Sequence, residues 1–107
     1  MDKYQFNSNI FKALSEPKRL KILDILSCGE MCACDMLKFF DFAQSTLSHH
    51  IKVLNDCGLI NIRPSGKWNY YSINTTNANK SVLFYLELIT ESDDCICKQA
   101  SLTISKN

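Results

Sequence analysis

Apolar residues recur along this chain with two different periods, and the changes of period mark its elements. Phe6, Ile10, Phe11 and Leu14 fall three and four apart and predict a helix over residues 5–14. Ser15-Glu16-Pro17 interrupts it. Proline suits the first turn of a helix and pushes the residue before it out of helical space. A second helix therefore starts there and runs through Leu20, Ile22, Leu23, Ile25 and Leu26 to Cys28-Gly29. It is apolar around much of its circumference, so it is expected at the centre of the fold. Met36, Leu37 and Phe40 predict a short third helix with Asp35 in its first turn, where the macrodipole favours a carboxylate. After the turn Asp41-Phe42-Ala43, a fourth helix opens at Gln44, gathers Leu47, Ile51 and Leu54 on one side, and ends at Gly58.

The period then drops to two. Ile60 and Ile62 lead out, Pro64-Ser65-Gly66 turns, and Trp68, Tyr70, Tyr71 and Ile73 return as a β-hairpin, with Trp68 and Tyr70 expected on the core. Residues 74–79 read as a polar linker, and Ser81 to Ile89 as a last helix more apolar than one side of a small core requires. Paired with the apolar first helix, it predicts a homodimer interface built from both ends of the chain. The fold class is thus mainly α with a small β-hairpin: a dimeric winged helix-turn-helix of about five helices and a two-stranded wing. Residues 1–92 are expected to form this single winged, dimerising domain, and residues 93–107 a polar tail carrying Cys95 and Cys97.

The outward side of the fourth helix is what suggests double-stranded DNA as a partner. Gln44, Ser45, Thr46, Ser48, His49, His50 and Lys52 offer short hydroxyls, an amide, imidazoles and an ammonium, the mixture a helix needs in a major groove. Arg63 and Lys67 flank the hairpin tip and are placed for the phosphate backbone. The chain carries only one net positive charge, but its distribution is uneven. Residues 44–73 hold Lys52, Arg63 and Lys67 against Asp56 alone, while residues 1–43 balance and residues 74–107 are slightly acidic. Lys18, Arg19 and Lys21 form either a solvated rim or further phosphate contacts. With 107 residues and 46% hydrophobic content, one compact domain is expected. No apolar run suits a bilayer or a signal peptide, so the expected location is cytoplasmic, with no membrane partner.

Six cysteines in a reducing compartment point to thiolate chemistry rather than a disulfide framework. Cys32 and Cys34 stand where the third helix begins. In regular helix, residues two apart diverge; with Cys32 still extended they converge on one ion, and the helix start is expected to lower their thiol pKa. Three cysteines within seven residues, Cys28, Cys32 and Cys34, fit the three-sulfur pyramid of trivalent arsenic or antimony. Zinc and cadmium prefer a tetrahedron. Cys95 and Cys97 stand as completing ligands or a second site, and Cys57 as a packing residue. His49 and His50 have no cysteine at ligand spacing and no placement for acid–base work, so no catalytic centre and no enzyme is expected.

The stretch from Phe11 to Leu23 resembles the start of the arsenical-resistance repressor (ArsR/SmtB) family, Gly29 to Leu37 its metal-binding box, and Gln44 to Leu54 its recognition helix. Cys57 to Ile60, with Arg63 through Tyr71, is similar to its wing, so the likeness spans roughly residues 6 to 73. It implies a homodimeric repressor that holds operator DNA when metal-free and releases it on binding its inducer. Arsenite and antimonite head the inducers it implies, with cadmium, lead and zinc as further candidates. Leu37 stands where the arsenite box carries a third cysteine, and Cys28 is the residue to take its place. There is no cysteine before Cys28, as the cadmium and lead branch would have, and no histidine in residues 80–92, as the zinc branch would have. A cadmium/lead-responsive or thiol-redox-responsive repressor of the same fold is the alternative. A thiol oxidoreductase or metal carrier is disfavoured by the lack of a Cys-x-x-Cys pair.

Overall fold

In the computed structural model, which describes residues 2–91, five helices surround one small core, with a three-stranded sheet at its edge. Helix α1 (Lys3–Leu14) starts where the Asp2 carboxylate accepts the Gln5 N–H at 2.8 Å, two residues before the apolar pattern begins. Helix α2 (Pro17–Leu26) carries proline in its first turn and is capped by Glu16. Only Ile22 and Leu26 of α2 are fully buried, and Leu20 lies half in solvent, so α2 is less central than its composition suggests.

The third element is shorter than expected. Helix α3 (Ala33–Met36) is a single turn that tightens into a 3-10 turn over Leu37–Phe39. Helix α4 (Gln44–Asp56) then buries Leu47, Ile51 and Leu54, as the periodicity requires. It ends at Gly58, whose φ of +85° is open to glycine; a Cβ there would meet Asn77 Nδ2 at 2.9 Å.

The wing differs from the expected hairpin in two respects. Strands β2 (Ile60–Ser65) and β3 (Trp68–Ile73) pair antiparallel from Ile60↔Ile73 to Ser65↔Trp68, so the loop is Gly66-Lys67 and not Pro64-Ser65-Gly66. Pro64 fits inside β2 because β2 is an edge strand, where a missing N–H costs little, and Gly66 supplies the positive φ that a two-residue turn needs. A third strand, β1 (Met31–Cys32), pairs with the other edge of β3 at Met31↔Tyr71 and Cys32↔Tyr70. A two-residue strand has no readable period, which is why the sequence pattern does not show it.

Helix α5 (Thr75–Ile89) absorbs the expected linker. The Asn74 side chain accepts the Asn77 N–H at 3.0 Å, and Asn77 in turn donates to the Gly58 carbonyl at 2.9 Å, so a polar segment becomes helical by capping and not by an apolar face. The core joins Ile10 and Ala13 of α1, Ile22 and Leu26 of α2, Met36, the α4 face, Leu59 and Ile60. Among the described residues, no helix is long and apolar enough to cross a membrane. Cys95, Cys97 and the tail expected at residues 93–107 lie outside the described residues.

Candidate nucleic-acid interface and thiol site

Burial of Leu47, Ile51 and Leu54 fixes the rotation of α4 and leaves Gln44, Ser45, Ser48, His49 and Lys52 exposed, with Thr46 at the same end of the helix. Lys52 pairs with Asp56 at 3.0 Å, an exposed contact one turn apart that is worth little and opens easily. No side chain caps the α4 N-terminus, so its first N–H groups keep their capacity for another acceptor.

His50 does not join this face. It is 7% exposed, and its Nδ1 accepts a hydrogen bond of 3.1 Å from Arg19 Nη1, which ties α4 to α2. Arg19 also donates from Nε to the Ala13 carbonyl at 2.6 Å, so it too is turned inward and leaves the basic rim. Burial, and next the Arg19 charge, hold the His50 pKa below its ordinary value, so the ring is the neutral acceptor. The helical wheel could have shown this, because position 50 falls on the same arc as Leu47 and Leu54 while position 49 falls outside it.

At the wing, Lys67 occupies the tip with Nζ 5.6 Å above the Trp68 ring. Trp68 is 49% exposed and not on the core, because its register places it opposite Ser65 beyond the edge of the packed region. Arg63 is engaged within the chain. Its Nη2 and Nε donate to the two carboxylate oxygens of Glu30 at 2.7 and 3.0 Å, and its guanidinium lies 5.0 Å from the centre of the Tyr70 ring. The bidentate contact holds the Glu30 carboxyl below the usual carboxylate range. Glu30 has no signal in the sequence, since its partner is 33 residues away.

Cys32 is at once the last residue of β1 and the cap of α3, with extended φ and ψ of −83° and 164°. That conformation lets it converge with Cys34, and the two sulfurs approach to 2.6 Å. Cys32 is 6% exposed and Cys34 is open to solvent, so Cys34 is the accessible sulfur of the pair. Asp35 brings a carboxylate into the same group of donor atoms, all within 4.8 Å of one another. Cys28 lies outside that group, exposed on the turn after α2. Cys57 is half-buried and donates to the Leu54 carbonyl at 3.3 Å, as a packing residue would.

The expected lowering of thiol pKa is overturned for Cys34, whose value is pushed up. Its hydrogen bond with Cys32 is the main cause, followed by desolvation and by the Cys32 and Asp35 charges. A four-residue helix has too little dipole to offset them.

Three comparisons bear on this arrangement. Residues 16–61 match the family described as bacterial regulatory protein, arsR family. The chain is 47% identical over 100 residues to the arsenical resistance operon repressor of Staphylococcus xylosus, covering 89% of this chain and 91% of that protein. It is 43% identical over 95 residues to the repressor of the same description from Staphylococcus aureus, with the same coverage. An ArsR-like transcriptional regulator from Rhodococcus sp. RHA1 shares the fold, with a TM-score of 0.76 at 21% identity over 96% of this chain and 97% of that one.

Proposed function

The chain belongs to the ArsR family of bacterial regulatory proteins, and from that premise we propose that it is a repressor that holds operator DNA as a homodimer and releases it when thiolates capture trivalent arsenic or antimony. The exposed face of α4 enters a major groove, and Lys67 at the wing tip follows the backbone. Cys32 carries the reading, because it belongs to two devices at once. Its backbone pairs with Tyr70 in the wing, and its cap position starts the first helix of the helix-turn-helix. A ligand that draws Cys32 and Cys34 toward a third sulfur therefore pulls on the wing and on the helix before α4 together. Cys28 is the third donor, reached by bending the turn around Gly29, whose φ is +137° and whose Cα faces open space with no heavy atom within 4 Å of where a side chain would begin. Cys95 and Cys97 are the other candidates for completing the site.

The homodimer rests on α1 and α5, which pack through Tyr4–Phe84 and Phe11–Tyr85 ring contacts. One side of α5 is left apolar and exposed, with Val82, Tyr85, Leu86 and Ile89 all about half or more in solvent.

Proton balance at the thiols distinguishes the inducers. Arsenite in neutral water is the uncharged trihydroxide; each neutral thiol that adds to arsenic gives up its proton to a departing hydroxide, which leaves as water. Cadmium or zinc must instead displace protons into solution. Arsenite affinity should therefore stay nearly flat between about pH 6.5 and 8, while cadmium affinity climbs roughly tenfold per pH unit for each proton displaced. Ligand-induced release measured by anisotropy at several pH values checks this, and a steep rise for arsenite removes the neutral-thiol account. Asp35 in the donor group is what favours a divalent ion as the second reading. A thiol-redox sensor is separated by excess reductant, which abolishes its response and leaves the arsenite response intact.

Fluorescence anisotropy on operator DNA, titrated in parallel with arsenite, antimonite, cadmium and zinc, tests the proposal. Arsenite and antimonite should release DNA at the lowest concentrations. In the same assay Lys67→Ala should weaken all duplexes about equally and flatten the salt dependence by ~0.9 per subunit, one phosphate's worth. An unchanged slope takes the wing tip off the DNA.

A further inference from the structure

A groove of about 550 Å³ runs between the start of α2 and the turn that leads into α4. Lys18 and Lys21 stand on one wall and Lys38 on the other, with Asp41 the one carboxylate among the lining residues. Phe40 and Phe42 are stacked, ring centres 4.5 Å apart and 17° from parallel. Lys21 Nζ lies 5.0 Å from the Phe40 ring centre and Lys18 Nζ 5.5 Å from that of Phe42. Lys21 also donates to the Phe39 carbonyl at 2.9 Å. The two stacked rings thus hold one ammonium group each.

An aromatic face orients a cation without neutralising it. Among the described residues, neither Lys18 nor Lys21 has a carboxylate within ion-pair distance, whereas Lys38 meets Asp35 at 3.4 Å in a solvated pair of little strength. Helix α2 itself adds nothing here, because the Glu16 carboxylate already takes its Lys18 N–H. The surplus charge comes from the lysine side chains alone.

Position decides the partner. Phe42 lies two residues before Gln44, its ring is 5.9 Å from His50, and His50 is 5.5 Å from the exposed His49. Through Phe42 the groove's wall is continuous along the chain with the first turn of α4. From this continuity and charge we infer that the Lys18–Lys21 groove is a phosphate-binding site that clamps the DNA strand flanking the major groove read by α4. This inference rests on the DNA-binding reading above and adds to it a backbone contact outside both α4 and the wing. Arginine at position 19 takes no part, being committed to Ala13 and His50.

The test is the salt dependence of binding to a random-sequence duplex of about 30 bp, which reads phosphate contacts without needing the operator. The Lys18→Gln/Lys21→Gln double variant should flatten the slope of log K against log salt by about 1.8 per subunit. Between about 50 and 200 mM salt it then loses affinity roughly 12-fold less per bound subunit than the parent. Because Lys21 also supports the Phe39 carbonyl, Lys18→Gln alone is measured beside it and should give half the change. Lys18→Arg/Lys21→Arg, which keeps both charges, should restore the parent slope. An unchanged slope in a double variant that still unfolds cooperatively, or a lost slope that arginine does not restore, overturns the inference while leaving α4 as the reader. Failure of the parent protein to bind any duplex sinks both readings. In a separate arm, inorganic phosphate is titrated at constant ionic strength without DNA. Lysine resonances that stay unshifted support the strand as the source of phosphate, and saturable shifts of Lys18 and Lys21 reassign the groove to a free phosphate ligand.

Discussion

Cys34→Ser is expected to leave metal-free operator affinity unchanged and to raise the arsenite needed for half-release by at least ~100-fold, about 2.8 kcal/mol of lost ligand binding. The residue is exposed, its side-chain hydrogen bond is to Cys32, and a hydroxyl there is satisfied by water, so the exchange removes a sulfur and little else. Cys32→Ser should abolish the response as completely. There the sulfur is buried, and a hydroxyl without a partner costs about 1–3 kcal/mol, so some loss of fold stability accompanies it. The pair is informative because the two residues differ in burial and share one chemical role. Anisotropy titrations with and without arsenite separate the outcomes. Loss of metal-free DNA binding by Cys34→Ser, in a protein that remains folded, would mean that the thiols shape the reading head and do not switch it.

The second large effect concerns assembly. Leu86→Asp is expected to convert the proposed homodimer to monomer at micromolar concentration and to lower operator affinity by at least ~100-fold, since two tethered reading heads bind far more tightly than one. Leu86 is 48% exposed and is flanked by Val82 and Ile89, at 59% and 64%. Covering each such side chain contributes up to about 1.5–3 kcal/mol. A two-fold axis repeats every contact, so one substitution places two carboxylates in the interface. Because the side chain leaves the monomer's own core intact, the variant should unfold at close to the parent's monomer stability. Sedimentation and anisotropy together test this. An unaltered dimer would move the interface away from α5.

Arg63 and His50 show where a one-dimensional reading stops. Both look like DNA contacts in the sequence, as polar residues on or near a reading surface, and both have partners inside the chain. The partner of Arg63 is Glu30, 33 positions away, and that of His50 is Arg19, 31 positions away. For His50 the helical wheel holds the correction, because its arc is the buried one. For Arg63 nothing local shows the Glu30 contact, and that solvent-exposed pair leaves its guanidinium free to meet a phosphate as well. The Glu30 contact joins the loop before Cys32 to β2, so it lies along the same route by which a captured ligand would act on the wing.

Short-range periodicity and capping chemistry account for everything that is legible along the chain. That includes the starts of α2 and α4, the stop at Gly58, the inward face of α4, and the nearness of Cys32 to Cys34 at a helix entrance. Those follow from backbone geometry acting over a few residues, where neighbours in sequence are neighbours in space. Long-range packing alone makes Met31 and Cys32 a strand against Tyr71 and Tyr70, secures α5 to Gly58 through Asn77, and stacks Phe40 on Phe42 beside two lysines. Each of these joins segments whose separation along the chain carries no period, or depends on rotamers that packing selects. The thiol pair is therefore readable as chemistry before folding, and its mechanical connection to the wing exists only once the sheet has closed.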